Sequence, residues 1–430
     1  METSLLIGIG CFVLALLFMF IGVPIALALG LGAVICFFIY KGNAALIPEV
    51  SFTILNNFVL IAVPMYILMG EVIIRSGIFE RVYEGTSRLT AWIPGGLLHA
   101  NIVSCALFAA ISGSSPATAA TIGAVAIPTL DRRGYETKIT LGSIAAGGTL
   151  GILIPPSIPL LVYAVLSSSS VAQLFAGGIF PGILLSGVFM LYILVRVVRN
   201  AALTPREPFN PRAIPSNFLN LWPIFVIMGV VLGGIFGGLF TPTEAAVIGT
   251  TAACVISLAY HRLNWHIFWD SIMATVITSS MLLIIVVGAS MVASLSSIVG
   301  LPRTLSLYII GAGLSKWVII ALIYLLYLFL GCFIDGISAM VMTLTTILPV
   351  VLNLGFDVIW FGIILVLLNE IGMLTPPMAV NIFVIRAISG RRIEDVYKGA
   401  APFFFVMLVV LFILTVFPSI VTWLPRLIVR

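Results

Sequence analysis

The stretch Gly147-Gly148-Thr149-Leu150-Gly151-Ile152-Leu153-Ile154-Pro155-Pro156-Ser157 returns, shifted by 221 residues, as Leu368-Asn369-Glu370-Ile371-Gly372-Met373-Leu374-Thr375-Pro376-Pro377-Met378. Each copy lies in an apolar run. A proline has no backbone N–H, so the carbonyl four residues earlier loses its helical donor. The residues affected are Gly151 and Ile152 in the first copy, and Gly372 and Met373 in the second. The glycine four residues before the first proline suits an unwound turn. Each copy is expected to be a helix broken at mid-membrane, with oxygen-rich turns before the break and a new helix N-terminus after it. A plain proline kink is the alternative reading.

The same shift superposes Pro128 on Pro349 and Gly134 on Gly355, and a shift of 218 pairs Pro24 with Pro242, Gly70 with Gly288 and Ser76 with Ser294. The chain therefore divides into two repeats, residues 1–200 and 217–430, joined by a cytoplasmic linker over 201–216. With 61% hydrophobic residues, 8% charged residues and a mean hydropathy of +1.26 over 430 residues, the chain belongs in lipid. No polar stretch is large enough for a separate soluble domain. The fold class expected is an all-α polytopic membrane protein.

Ten crossings are expected: Leu5–Phe20, Val23–Tyr40, Phe52–Ile74, Ile139–Leu166, Val171–Val195, Phe218–Phe240, Thr243–Tyr260, Phe268–Val299, Ile359–Ile385 and Pro402–Leu424. Two further apolar stretches are interrupted. Residues 100–130 break at Ser112-Gly113-Ser114-Ser115-Pro116, leaving arms of about 18–21 Å, too short to span. Residues 317–352 break at Asp335-Gly336. Both are expected to be re-entrant hairpins, followed by the broken helices over 139–166 and 359–385.

The loop Asp131–Lys138 is basic and its counterpart Asn353–Asp357 has no positive residue, so the repeats are expected to be inverted, with both termini outside. The N-terminus has Glu2 and no basic residue before Lys41, the wrong flank for a cleavable signal. The charge of +5 is dispersed among loops, which argues for topology signals and against nucleic-acid binding. Cys11, Cys36, Cys105, Cys254 and Cys332 are read as small core hydrophobes.

A hard monovalent cation needs several oxygens, which a hairpin tip and a broken helix supply from two directions. The candidates are Ser112, Gly113, Gly148, Thr149 and Gly151 in the first repeat, and Asp335, Gly336, Gly372, Met373 and Thr375 in the second. Candidate solute-binding residues are Ser114, Ser115, Ser157, Ser338, Pro377 and Asn381, and the helix breaks are Pro155, Pro156, Pro376 and Pro377. Asp335 and Glu370 are intramembrane acids, functional candidates by default; Glu370 is equally read as neutral and hydrogen-bonded. Glu244 reads as a first-turn helix acid, Glu71 with Arg75 as an i,i+4 pair, and His99, His261 and His266 as interfacial. No nucleotide-binding loop or hydrolase motif occurs.

Gly237-Gly238-Leu239-Phe240-Thr241-Pro242-Thr243-Glu244-Ala245-Ala246, together with Gly22-Val23-Pro24-Ile25-Ala26, Ser112-Gly113-Ser114, Ile154-Pro155-Pro156-Ser157 and Thr375-Pro376-Pro377, resembles the large membrane subunit of tripartite ATP-independent periplasmic (TRAP) transporters. The resemblance covers essentially the whole chain. It implies a multi-pass protein of the bacterial inner membrane, working as an elevator and driven by Na⁺, with two or more ions bound. The partners implied are a separate small four-helix membrane subunit, a periplasmic substrate-binding protein, a carboxylate substrate and lipid. Among family substrates sialic acid ranks ahead of C4-dicarboxylates, since no basic residue in the expected site offers a clamp for a second carboxylate. A channel and an intramembrane enzyme are the alternatives, although no nucleophile or acid–base pair for the latter is visible.

Overall fold

The computed structural model describes residues 2–42, 46–205, 218, 220–311, 313–377 and 379–428, and every regular element among them is helical. Residues 206–216 of the expected linker lie outside the described residues. In chain order the helices are α1 (Glu2–Phe20), α2 (Ile25–Lys41), α3 (Leu46–Leu55), α4 (Ala62–Arg75), α5 (Ile78–Thr90), α6 (Leu97–Ser112), α7 (Ser115–Arg132), α8 (Thr137–Leu153), α9 (Ile158–Ser167) and α10 (Val171–Arg199). After the linker come α11 (Trp222–Phe236), α12 (Pro242–Ala259), α13 (Trp265–Ile298), α14 (Leu301–Gly311), α15 (Lys316–Gly331), α16 (Gly336–Asn353), α17 (Val358–Gly372), α18 (Val380–Ser389), α19 (Ile393–Val416) and α20 (Ser419–Ile428).

The two halves use the same local devices. Hairpin α6–α7 is followed by the broken pair α8/α9, and hairpin α15–α16 by α17/α18. The second arm of each hairpin carries an internal proline, Pro128 or Pro349. Each arm then ends in a turn whose glycine, Gly134 or Gly355, has φ of +78° or +82°, a conformation that a Cβ disfavours. An acid caps the next helix: Glu136 accepts from the Ile139 N–H at 2.8 Å, and Asp357 from Ile359 and Trp360 at 2.8 and 3.0 Å.

The broken helices form the centre of the molecule. Ile139–Leu153 of α8 and Ile359–Gly372 of α17 are buried throughout. A helix that is apolar on every side suits this position. Around α8 pack α6, α7 and α19, while α7 also lies on α18 and α16 on α9, so each hairpin touches the far arm of the other half's broken helix. At Gly142 and Gly399 the backbones of α8 and α19 meet with no side chain between: a Cβ on Gly142 would fall onto the Gly399 carbonyl, and one on Gly399 onto that of Lys138. Two bonds pin α12 to α4, Tyr66 Oη to Pro242 O (3.2 Å) and Thr250 Oγ1 to Met65 O (2.7 Å), and a third, Thr243 Oγ1 to Phe58 O (3.2 Å), pins it to the 3₁₀ turn Phe58–Ile61 just before α4. The Thr241–Glu244 capping box starts α12.

Outward faces are apolar, as in Ile277 of α13, Leu325 of α15 and Phe412 of α19, each more than 60% exposed, which suits a surface bathed in acyl chains. Seven described helical segments are long and apolar enough to cross a membrane: Phe58–Arg75, Thr137–Ser167, Val171–Arg199, Pro242–Ala259, Trp265–Ile298, Gly336–Asn353 and Ile393–Val416. Several expected boundaries change. The run Phe52–Ile74 is divided, because Asn57 caps a short 3₁₀ turn at Phe58–Ile61 through the Val59 N–H and detaches α3 from α4. The run Pro402–Leu424 begins earlier, at Ile393, with Pro402 inside the helix, and Pro418 separates it from α20. The first hairpin's arms are 16 and 18 residues, longer than the break suggested, since Ser112 and Ser115 continue the helices up to the tip. His99, expected at an interface, is buried and bonded through Nε2 to the Pro94 carbonyl at 2.9 Å.

Candidate functional site

Both hairpin tips open onto one cavity of about 260 Å³. Ser112, Gly113, Ser114 and Ser115 line it from the first tip and Asp335 and Ile337 from the second. Ile152, Ile158 and Met373 come from the breaks, and Gly70, Glu71, Thr278 and Met281 close it from α4 and α13. The first residues of α9, Ile158 and Pro159, border the cavity, so a helix N-terminus with its partial positive charge faces it. Among the described residues, no Lys or Arg lines the cavity. A larger groove of about 410 Å³ beside Ile9, Leu305 and Met342 is lined by hydrocarbon, two threonines and Tyr308, with no charged side chain among the described residues.

At the first tip, α6 ends at Gly113 in the left-handed region (φ +57°) and α7 starts after Ser114, whose hydroxyl accepts from Ala117 N–H. Ser112 Oγ lies 2.9 Å from Thr118 Oγ1, which itself donates to the Ser114 carbonyl at 2.7 Å. Gly151 completes this corner. A Cβ there would lie 2.7 Å from the Ser114 oxygen and 2.8 Å from Thr118 Oγ1, so only glycine lets the α8 backbone come this close to the oxygens of the tip. Hydroxyl and carbonyl oxygens are the donors a hard cation takes. The Gly151, Ser112, Ser114 and Thr118 oxygens fit that requirement.

At the second tip, Asp335 Oδ1 accepts from the Ile337 and Ser338 N–H groups at 3.0 and 3.1 Å, and Oδ2 accepts from the Ser338 hydroxyl. Asn369 Nδ2 donates to the Gly336 carbonyl at 2.9 Å, leaving its own buried Oδ1 without a partner. Gly331 and Gly372 bring α15 and α17 into backbone contact. This corner also offers acceptors, and the unpartnered Asn369 oxygen is the strongest sign that a donor or cation is wanted there.

A third polar cluster lies deeper. Ser115 Oγ donates to Glu370 Oε2 at 3.2 Å and accepts from Asn381 Nδ2 at 2.9 Å, and the same Nδ2 reaches the Ala145 carbonyl at 3.2 Å. Ser115, Glu370 and Asn381 are all 0% exposed.

The structure thus gathers Ser112, Gly113, Ser114, Ser115, Asp335 and Met373 at the cavity, with Gly151, Gly336 and Gly372 just behind. Others are placed elsewhere. Thr149 Oγ1 donates to Ala146 O at 2.6 Å and approaches Met407 Sδ, on the side away from the tip. Gly148 serves helix packing against Ala119. Ser157 is buried and donates to Ile152 O; Ser338 is buried against Asp335; and Asn381 is taken up in the deeper cluster. Pro155 and Pro156 are buried, whereas Pro376 and Pro377 are exposed and do not line the cavity. Thr375 Oγ1 donates back to Ile371 O at 2.7 Å.

Three of the four carbonyls expected to be free have found partners. Ile152 O accepts from Ser157 Oγ, Gly372 O from Thr375 N–H at 2.9 Å and Met373 O from Asn381 N–H at 3.3 Å. Polar side chains and the next turn satisfy what the prolines cannot, as a low-dielectric interior requires. Sequence reading passed over Thr118 and Asn369; Thr118 was legible as the hydroxyl one turn beyond Ser114, and Asn369 as the neighbour of Glu370.

Residues 12–420 match the sequence family described as "Tripartite ATP-independent periplasmic transporter, DctM component". The chain is 34% identical over 375 residues to the C4-dicarboxylate TRAP transporter large permease protein DctM of Pseudomonas aeruginosa, covering 86% of this chain and 87% of that protein. It is 34% identical over 378 residues to the isethionate TRAP transporter permease protein DctMQ of Oleidesulfovibrio alaskensis, covering 87% of this chain but 59% of that longer protein. Identity to the sialic acid TRAP transporter large permease protein SiaM of Vibrio cholerae is 31% over 380 residues, 87% of each chain. Among solved structures, the Alcanivorax borkumensis YdaH transporter superposes with a TM-score of 0.54 over 85% of this chain and 88% of its own, at 14% identity, a likeness of fold.

Proposed function

Since the chain belongs to the DctM component family of tripartite ATP-independent periplasmic transporters, and is a transport permease of the inner membrane rather than an enzyme, we propose that it is the large subunit of a Na⁺-driven importer of small organic carboxylates. The observation that carries this reading is the shared cavity: two hairpin tips and two broken helices from different halves of the chain converge on one space, each tip with its own oxygen-lined corner. A channel would need a continuous wet path; this arrangement instead gathers its polar groups at one compartment where the two halves meet.

In this proposal Na⁺, with two or more ions bound, supplies positive charge inside the low-dielectric site. Ser112, Ser114, Thr118 and Gly151 would hold one ion, and Asp335, Gly336, Asn369 and Gly372 another. Between them the tips and the start of α9 receive the substrate carboxylate on backbone N–H groups. The repeats over 1–200 and 217–430 are inverted. The hairpins and broken helices move as one body against a scaffold that includes α4, α12 and α13, and the three bonds from α12 to α4 and its preceding turn support that scaffold's rigidity.

A separate small four-helix membrane subunit and a periplasmic substrate-binding protein complete the system. Relatives are named for C4-dicarboxylate, isethionate and sialic acid. With no Lys or Arg among the described residues that line the cavity, a single carboxylate on a polar body, as in sialic acid, fits better than a dicarboxylate.

The test is reconstitution with the small subunit and a panel of binding proteins. Uptake requires an inward Na⁺ gradient and a cognate binding protein, and sialic acid competes better than succinate. Conductance without a binding protein, or uptake indifferent to Na⁺, refutes the reading.

A further inference from the structure

The two helix breaks are alike in sequence but not in how they are held. Asn381 closes the second break twice: its N–H bonds to Met373 O across the gap, and its amide Nδ2 reaches out to Ser115 Oγ on the first hairpin. Ser115 in turn donates to Glu370, on the other side of the same break. One hydroxyl from the first repeat therefore joins both arms of the second repeat's broken helix. At the symmetric positions the first repeat has Leu160 for Asn381 and Thr149 for Glu370, and the second hairpin has Gly336 for Ser115. None of these can make the equivalent link, since Leu160 carries no polar group, Thr149 bonds within its own helix and Gly336 has no side chain. The cluster is fully buried, where each bond is strengthened by the low dielectric and an orphaned partner is costly.

We propose that Ser115 is a positioning residue through which the first hairpin clasps the second helix break, so that the second break opens only when the first hairpin shifts, while no shared hydroxyl of this kind spans the first break. This goes beyond the transport reading and rests only on the network.

Hydrogen exchange of the purified full-length chain in lipid nanodiscs tests it. Ser115→Ala removes the shared hydroxyl, and amides just after the second break, Val380–Phe383, should exchange about five- to ten-fold faster, with those after the first break, Ile158–Leu161, unchanged. Ser115→Thr restores the hydroxyl and should return wild-type exchange. Asn381→Leu, which places the first repeat's residue at the second break, removes the amide link to Ser115 and should speed exchange of the neighbouring amides by a similar factor, which gives an independent reading should Ser115→Ala fold poorly. Equal acceleration at both breaks, no acceleration at the second, or failure of Ser115→Thr to restore protection overturns the proposal. Loss of Na⁺-driven uptake plays no part in this outcome, so the clasp and the transport function stand or fall separately.

Discussion

Gly151→Ala probes the oxygen-lined corner most directly. A Cβ at this position would sit 2.7 Å from the Ser114 carbonyl oxygen, 2.8 Å from Thr118 Oγ1 and 2.9 Å from the Ser114 carbonyl carbon. Even weak C–H···O contacts keep about 3.3 Å, so roughly 0.5 Å must be found. The atoms in the way are mostly backbone, and the tip itself must move. Overpacking of this kind costs about 1–3 kcal/mol, offset in part by about 1 kcal/mol that alanine gains over glycine inside a helix. The control is Gly187→Ala in α10, where a Cβ would meet nothing within 4 Å and only the helix gain remains. The assay is the Na⁺ dependence of uptake in proteoliposomes, with thermal unfolding of the same samples. Gly151→Ala should raise the half-saturating Na⁺ concentration about ten-fold, a loss of about 1.4 kcal/mol of binding, while Gly187→Ala leaves it unchanged and unfolds at or above the wild-type temperature. If the two variants share one Na⁺ dependence, the corner at Gly151 is not a cation site.

Four further outcomes are expected. Asp335→Asn retains an N-cap acceptor for α16, so it should fold and assemble normally while its Na⁺-dependent uptake weakens; unchanged Na⁺ dependence removes Asp335 from the site. Replacing Pro155-Pro156 or Pro376-Pro377 by Ala-Ala restores helical donors and should lower uptake at least about ten-fold without loss of thermal stability, as measured on purified protein. A cysteine placed at Asn353 should react with an impermeant reagent added outside and one at Arg133 should not; equal labelling refutes inversion of the repeats. Thr241→Ala breaks the capping box of α12 and should cost about 1 kcal/mol in unfolding, with uptake per folded molecule unchanged.

The local devices that the two halves share were legible because they depend on residues with few substitutes. Proline pairs mark the breaks, Gly134 and Gly355 mark the left-handed turns, and Glu136 and Asp357 mark the helix starts that follow. Element boundaries were less legible, because hydropathy reads Phe52–Ile74 as one run and cannot register that the Asn57 side chain finds the Val59 N–H. The meeting of two tips and two breaks at the candidate site was legible in outline. What escaped were long-range pairings. Whether Ser115 faces a solute or a buried carboxyl depends on Glu370 and Asn381, more than 250 positions away in sequence. Likewise the prolines showed which carbonyls lose a helical donor, but not that Ser157 and the Thr375 and Asn381 N–H groups would replace it.

The meeting of α8 and α19 at Gly142 and Gly399 bears on how this sequence can drift. The obstruction facing a new side chain at either position is peptide backbone, so no trimming of a neighbouring residue can make room. The two sites are not a compensating pair in which one change excuses another; each is separately intolerant. Over generations, substitutions at both should be purged whatever solute the carrier moves, while the residues lining its cavity diversify. Glycine at these two positions is therefore a fixed coordinate for aligning distant relatives, and a library randomised at either should return glycine alone among variants that fold.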